Sequence, residues 1–389
     1  MKSDVIIIGG GIIGVTLACA LAKQNISTIL IEQRNIKSMK SNVTDGRASA
    51  ISYGSKLILE KYDLWRNIEQ YAGPIEQIRV TDSNSPLFLH FDNKYVESQT
   101  LGFMVENHKM LAELHNEAEK IKNLTILEGN YNTIQRNSYD VKVEIGNHII
   151  ESSLLVAADG KNSSVRQKAN IGIRQSFFKQ SAIVCNVKHE LNHENIAQEK
   201  FFPNGPFAIL PLLGGHSSSI VWTESTKLAE IYLGMDEKEF IYNLSLKFGN
   251  YLGELELISE VYSYPLSSLY CEKYYKERLV LVGDAAHSIH PIAGQGLNLG
   301  IKDVEALVEI LNKYKSLGLD IGSESILVEY QNQRKDDNLA MIAITTMLNT
   351  IFSNKNFPLN ALRKLGLSAV NTFPSAKKFF MKYAMGIRN

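Results

Sequence analysis

Val5-Ile6-Ile7-Ile8-Gly9-Gly10-Gly11-Ile12-Ile13-Gly14 places an unbroken β-branched run directly before a glycine-rich turn. Such a run suits a strand buried on both faces of a parallel sheet. Ile13, Leu17 and Leu21 then recur at helical spacing within Ile12–Lys23, and Ser27–Ile31 returns to strand. The first 32 residues therefore read as a βαβ unit. In this G-x-G-x-x-G arrangement, Gly9, Gly11 and Gly14, with Ile13 in the same loop, form a tight turn. The turn lets backbone N–H groups approach a pyrophosphate at the helix N-terminus. Glu32 stands 21 residues beyond Gly11, where a carboxylate accepts a hydrogen bond from a ribose hydroxyl. The motif alone leaves FAD and NAD undecided.

A second motif begins at Leu279–Val282, a short apolar strand that delivers Asp284 at its carboxyl end. Open α/β sheets bind ligands there. His287, His290, Pro291, Gly294 and Gly296 follow, and Leu297, Ile301, Val304, Val308 and Leu311 fall at helical spacing. The glycine loop thus opens a helix whose free N–H groups and positive dipole end suit a reduced flavin ring. An aspartate helix cap beside a glycine-rich loop is the alternative reading. The His-x-x-His spacing lacks the further ligands a metal site needs, so no metal is expected.

The 389 residues, 44% of them apolar, exceed what one hydrophobic core usually serves. Forty-one basic residues balance 41 acidic ones, and no basic excess favours nucleic acid. That balance conceals an asymmetry. From Asn338 onward there is no Asp or Glu, while Lys355, Arg363, Lys364, Lys377, Lys378, Lys382 and Arg388 lie there. Cys19, Cys185 and Cys271 are far apart with no CxxC, the usage of reduced cysteines in a cytoplasmic protein. The uncharged run Val5–Ala22 imitates a signal sequence, but its central glycines favour the strand, turn and helix already described.

A helix near Lys109–Lys122 is expected, with strands near Leu124–Leu127, Val141–Ile145, Leu154–Ala158 and Leu279–Val282 completing one parallel sheet. Ile75–Phe91 and Ala182–Thr223 alternate or carry aromatic residues between turn signals, as antiparallel strands do. The fold expected is α/β: a Rossmann-like nucleotide-binding domain, which a family resemblance makes an FAD-binding domain, with an inserted, mainly antiparallel β-sheet domain, by the same resemblance the substrate domain, and a C-terminal helical tail. The first would comprise 1–74, 92–180 and 277–337, the second 75–91 and 181–276, and the basic tail 338–389. Phe201, Phe202 and Phe207 on the inserted sheet are either core or the wall of an apolar pocket.

These two motifs, with Asp159-Gly160 and Ser163-Ser164-Val165-Arg166, resemble the flavin-dependent aromatic hydroxylases similar to p-hydroxybenzoate hydroxylase. Narrower likeness lies in Asp45-Gly46-Arg47-Ala48-Ser49-Ala50, Met104-Val105-Glu106-Asn107-His108 and Gly205-Pro206-Phe207-Ala208-Ile209-Leu210-Pro211. Those stretches, with the loop at 287–300, resemble the ubiquinone-biosynthesis hydroxylases from Ser3 to about Arg334. The resemblance implies FAD, with NAD(P)H and O₂ as co-substrates and a polyprenylated phenol as substrate.

It further implies that Gly9, Gly11 and Gly14 bind the ADP part of FAD and Glu32 its ribose. Asp284 would hold the ribityl chain, while backbone at Gly296, Leu297 and Asn298 would meet the isoalloxazine ring. Arg47 and His108 match positions beside the flavin, Pro291 and Gly294 belong to the flavin loop, and Asp159-Gly160 is linked to FAD and NAD(P)H. No side-chain nucleophile, acid or base is implied. A flavin-dependent reductase of an isoprenoid and a non-catalytic flavin-bearing subunit are the competing readings. Leu362, Leu365, Ala369 and Phe373, with Phe379, Phe380 and Tyr383, would make the tail's helices amphipathic, so that the tail either docks on an anionic membrane or a quinone-synthesis complex or packs as a helical pair on the acidic body.

Overall fold

The computed structural model describes residues 1–41, 46–82, 88–96, 100–290 and 294–352, with 378, 381–382 and 385–387. The β-branched run forms the strand Lys2–Ile8 inside an eight-stranded sheet. It pairs in parallel with Thr28–Glu32 and His148–Ala157, and Leu124–Glu128 and Leu279–Leu281 extend the parallel set on either side. Three separated stretches of sequence thus meet in one sheet. The helix Ile12–Lys23 has the bounds its spacing predicts. The next expected helix is Asn107–Ala118, starting two residues earlier than the apolar pattern suggests.

Val141–Ile145 departs from expectation. It runs antiparallel to His148–Ala157 rather than joining the parallel set. Gly146 and Asn147 alone separate the two strands, which suffices for a hairpin, whereas a parallel pair needs a crossover of a dozen residues or more.

A nine-stranded sheet forms the second layer, and its described pairings are antiparallel except that of Ile196–Phe202 with Gln77–Asp82. Its long strand Ile173–His189 runs unbroken through residue 180. Strand alternation divides the side chains between two faces. One face carries Phe207 and Trp222 into a core closed by Phe240, Leu244 and Phe248 of the helix Glu237–Phe248. The other face presents Ala182, Val184, Ala208 and Leu210 to a large cavity. Gly73–Ile75 belongs to a separate three-stranded sheet with Ala48–Ser52 and Gly102–Glu106.

The helix Glu324–Phe352 passes through Asn338 without interruption. Neither Gly nor Pro occurs within it to break the turn, and Asn338 is itself buried. Most of the expected tail lies outside the described residues, including Leu362, Leu365, Ala369, Phe373, Phe379, Phe380 and Tyr383. Lys355, Arg363, Lys364, Lys377 and Arg388 lie outside them as well. Met381 and Met385 are buried against Leu101, and the Gly54 N–H donates to the Met385 carbonyl at 2.8 Å.

Asp303, on the helix Gln295–Ser316, has no exposed surface. Its Oδ2 accepts from the Gly283 N–H at 3.0 Å and from His287 Nε2 at 2.5 Å. Its Oδ1 accepts from Arg334 Nε at 2.8 Å and Asn338 Nδ2 at 3.3 Å. Burial opposes ionisation, but His287 and Arg334 hold the carboxyl far below its usual range. A depressed carboxyl contributes stability fully present above the unfolded-state pKa, and lost only as pH falls through the folded value. Asp303→Ala would leave the buried Arg334 guanidinium with only the half-exposed Asp337, 3.1 Å away, as its ion-pair partner and should cost about 3–5 kcal/mol. Chemical denaturation at neutral pH, comparing wild type and variant, measures it. A change below about 1 kcal/mol, the range of an exposed pair, would refute the central role assigned to this carboxylate.

Candidate cofactor and substrate site

The helices Ile12–Lys23, Asn107–Ala118 and Gln295–Ser316 begin without a side-chain cap. Ser52, Ser225 and Asp236, by contrast, cap the helices that follow them. All three uncapped starts open on one cavity of about 2720 Å³, through Gly11 to Ile13, Asn107 with His108, and Gly294 to Leu297. Uncapped starts offer free N–H groups and positive dipole ends, so three such ends converge on the space. The volume is several times that of a pocket for one drug-sized molecule, typically about 300–1,000 Å³.

The glycine turn has the shape of a phosphate cradle. Gly9 has φ +107°, and a Cβ there would lie 2.4 Å from the Ala158 carbonyl oxygen. At Gly14 a Cβ would lie 1.8 Å from the Gly9 oxygen, so helix and strand touch through their backbones. At Gly11, in contrast, nothing lies within 4 Å of an added Cβ, and the position faces open cavity. These are the features a dinucleotide phosphate requires: a closed turn behind and free space in front. Ile13 lines the cavity beside Gly11.

Glu32 is 4% exposed, and both its oxygens already hold protein groups. Oε2 accepts from the Gly10 N–H at 2.6 Å, while Oε1 accepts from Arg34 N at 2.9 Å and Arg34 Nε at 3.1 Å. Burial would raise its carboxyl, but these bonds hold it below the usual value. Arg34 lines the cavity where Glu32 itself does not. His115 donates from Nε2 to the Gly10 carbonyl at 2.8 Å and braces the turn from its far side.

Asp284 sits in the short turn Gly283–Ala285 and turns its carboxylate into the cavity. Arg166 bolts this turn to its neighbour, donating to the Ala285 carbonyl at 2.9 Å and the Lys161 carbonyl at 2.8 Å. The protein around Asp284 raises its carboxyl above the ordinary value, opposed by His287, Lys161 and Arg47. Arg47 lines the cavity and stacks 5.3 Å from the Tyr264 ring centroid. His108, in the first turn of its helix, lines it too.

Gly294 adopts φ +61°, and a Cβ there would meet the Ala50 Cβ at 3.0 Å. Asn298 fastens this helix start to the strand Ala48–Ser52. Its Oδ1 accepts from Ser52 N at 2.8 Å, and its Nδ2 donates to the Ala50 carbonyl at 2.8 Å. Gly296 and Leu297 line the cavity between them, whereas Pro291 lies outside the described residues.

Asp159 and Gly160 part company. Gly160, at φ +81°, lines the cavity, while the Asp159 Oδ2 accepts from Ser164 N at 2.8 Å and Val165 N at 3.2 Å, at the start of the helix Ser164–Lys168. Lys161, next in sequence, lines the cavity in its place and donates to the Ser267 carbonyl at 3.1 Å. The aromatic trio divides similarly. Phe201 faces the cavity, but Phe207 packs at 6.0 Å from the Trp222 ring in the core behind the sheet, and Phe202 packs beside it. Among the described residues no cluster of His, Cys, Asp or Glu is arranged to hold a metal ion.

Away from these polar ends the cavity becomes apolar. The sheet face, Met341 and Ile342 of the last long helix, and Met381 and Met385 of the returning segment close it. Neither of these C-terminal contributions was legible as site material in the sequence.

A family model described as the FAD binding domain matches residues 2–343. The ubiquinone hydroxylase UbiL of Rhodospirillum rubrum is 40% identical over 386 residues, covering 99% of this chain and 90% of that protein. The 3-demethoxyubiquinol 3-hydroxylase of Escherichia coli is 31% identical, covering 99% of both chains. In fold, the p-nitrophenol 4-monooxygenase of Pseudomonas putida superposes with a TM-score of 0.82 at 18% identity, over 100% of this chain and 99% of that one. A cradle of closed glycines and three converging helix starts fits the cofactor that the family match names. The chain belongs to the FAD binding domain family, as a flavin-dependent monooxygenase in the branch of the ubiquinone hydroxylases.

Proposed function

We propose that this enzyme hydroxylates the aromatic ring of a polyprenylated phenol intermediate of ubiquinone synthesis, consuming NAD(P)H and O₂. One observation carries the reading: a single cavity joins three uncapped helix starts to an apolar sheet face. The polar end suits a dinucleotide, and the apolar end suits a ring with a hydrocarbon chain. The named functions of the two relatives supply the substrate class.

Bound FAD supplies the redox chemistry, taking electrons from NAD(P)H and activating O₂. The residues position and shield it. Backbone N–H groups at Gly11 to Ile13 receive the pyrophosphate, in a turn that Gly9 and Gly14 keep closed. Glu32 acts chiefly by fixing that turn through Gly10, with Arg34 presented to the nucleotide. Asp284 takes the ribityl hydroxyls, and the helix start at Gly294, Gly296 and Leu297 stabilises negative charge on the reduced ring. Asn298 holds that helix start against the strand carrying Ala50, while Arg47, His108 and Lys161 supply positive or polar groups around the cofactor. Asp159 shapes the turn that carries Gly160. The apolar walls exclude water where oxygen is transferred.

No described helix is long and apolar enough to cross a membrane. The basic tail gives a polyprenyl substrate a route from an anionic bilayer surface.

The purified protein should be yellow. Gly11→Val should fold with the thermal stability of the FAD-free wild type yet retain no flavin, because its side chain enters open cavity. Gly14→Val should lower that stability as well, because its Cβ strikes the Gly9 carbonyl. Equal flavin content in Gly11→Val and wild type, read by absorbance, would refute the cradle. A strain lacking the chain should accumulate a prenylated phenol detectable by mass spectrometry, and phenol turnover should consume O₂. Turnover without O₂ uptake would convert the reading into a reductase. Replacing Lys355, Arg363, Lys364 and Lys377 together with Ser should weaken sedimentation with anionic liposomes without loss of FAD. Unchanged binding would remove the tail from substrate delivery.

A further inference from the structure

Asp284 and Glu199 are the two acidic residues among the described residues that line the cavity, and they lie in opposite surroundings. Asp284 stands among the cofactor groups. Glu199 stands in the strand Ile196–Phe202, between Ala197 and Phe201, and all three face the cavity. Its neighbours across the sheet are Ala208 and Val80, both of which also line the cavity. No described group donates a hydrogen bond to its carboxylate or forms an ion pair with it. Lys200, the next residue, extends from the other side of the strand to donate to the Phe248 carbonyl at 2.6 Å. The charged and titratable side chains that share the cavity with it, Arg34, Arg47, His108, Lys161, Arg174, Tyr264, Tyr270 and Asp284, come from other elements.

An unpartnered carboxylate on an apolar face costs stability until a ligand supplies the missing hydrogen-bond donor. Burial alone pushes the Glu199 carboxyl up to about 7, near the pH at which a general base works best.

Resting on the substrate reading above, we propose that Glu199 accepts the proton of the substrate's ring hydroxyl and so makes the ring a better nucleophile. The phenolic O–H bond breaks, the proton passes to a Glu199 oxygen, and the electron pair stays on the phenol oxygen, where it raises electron density at the ortho and para carbons. Oxygen from O₂ then forms the new C–O bond at one of these carbons, with NAD(P)H as the electron source through FAD. The C–H proton departs as aromaticity returns, and Glu199 gives its proton back to the first hydroxyl. Glu199 therefore ends each turnover ionised, and the net reaction converts phenol, NAD(P)H, H⁺ and O₂ into a dihydroxybenzene, NAD(P)⁺ and water. The geometry makes the hydroxyl-bearing ring, rather than the prenyl chain, the group that this part of the sheet selects.

The test uses the flavin-loaded full chain with 2-geranylphenol as probe, following product formation, NAD(P)H oxidation and hydrogen peroxide release between pH 5.5 and 9. Wild-type kcat should rise through an acid limb near neutrality, because the working form is the carboxylate. Glu199→Gln should retain FAD, lose that limb and lose kcat by about 100-fold or more, with NAD(P)H oxidation diverted to peroxide. Glu199→Asp should restore part of the rate and the limb. At pH 8 the thermal midpoint of Glu199→Gln should exceed that of wild type, since an unpartnered charge among apolar neighbours has been removed. A Gln variant that keeps the rate within threefold and the same pH limb, while wild type hydroxylates the phenol, overturns the role of Glu199 alone. Wild type that hydroxylates no prenylated phenol overturns the substrate reading, and Glu199's role with it.

Discussion

A single buried carboxylate organises the molecule. Asp303 has no solvent contact, and a bare charge so placed would be costly by several kcal/mol. The cost is offset because each of its oxygens accepts two hydrogen bonds, from Gly283, His287, Arg334 and Asn338. Those partners belong to three parts of the chain: the turn carrying Asp284, the segment leading to the glycine loop, and the last long helix. Asp303 itself sits on the helix whose start faces the cavity. The charge that holds the two helices together therefore also sets where Asp284 and Gly294 stand.

The same constraint explains why the C-terminal helix belongs to the site. Arg334 and Asn338 anchor it at Asp303, and the next turns bring Met341 and Ile342 to the apolar end of the cavity. A change of composition at Asn338 therefore marks no structural boundary. There the helix passes from its polar anchor at Asp303 to the apolar wall formed by Met341 and Ile342.

Much of the nucleotide half was legible because its residues work through backbone geometry, which local sequence records directly. Gly9 and Gly14 stand where a Cβ would strike a carbonyl, and Asp284 follows a buried strand into a tight turn. Side-chain roles were less legible. Glu32 has the spacing of a ribose ligand, but spacing did not show that its carboxylate also holds Gly10 and Arg34. Asp159 sits in a flavin fingerprint, yet its Oδ2 accepts bonds at a helix start while Gly160 and Lys161 meet the cavity. Phe207 alternates to the core side of the sheet and Phe201 to the cavity side, and alternation without a known inner face cannot assign them.

The sequence by itself determined the βαβ unit, its glycine turn, the strand that carries Asp284 and the presence of a second sheet, because strand and helix periods and glycine placement are local. Tertiary structure alone decided that the strand Val141–Ile145 closes a hairpin with its successor. It also decided that one cavity joins the glycine turn to an apolar sheet face and that Asp303 ties the C-terminal helix to the turn carrying Asp284. It alone set Glu199 unpaired among apolar neighbours. Those features depend on which distant residues meet, and burial converts each meeting into charge pairing or its absence.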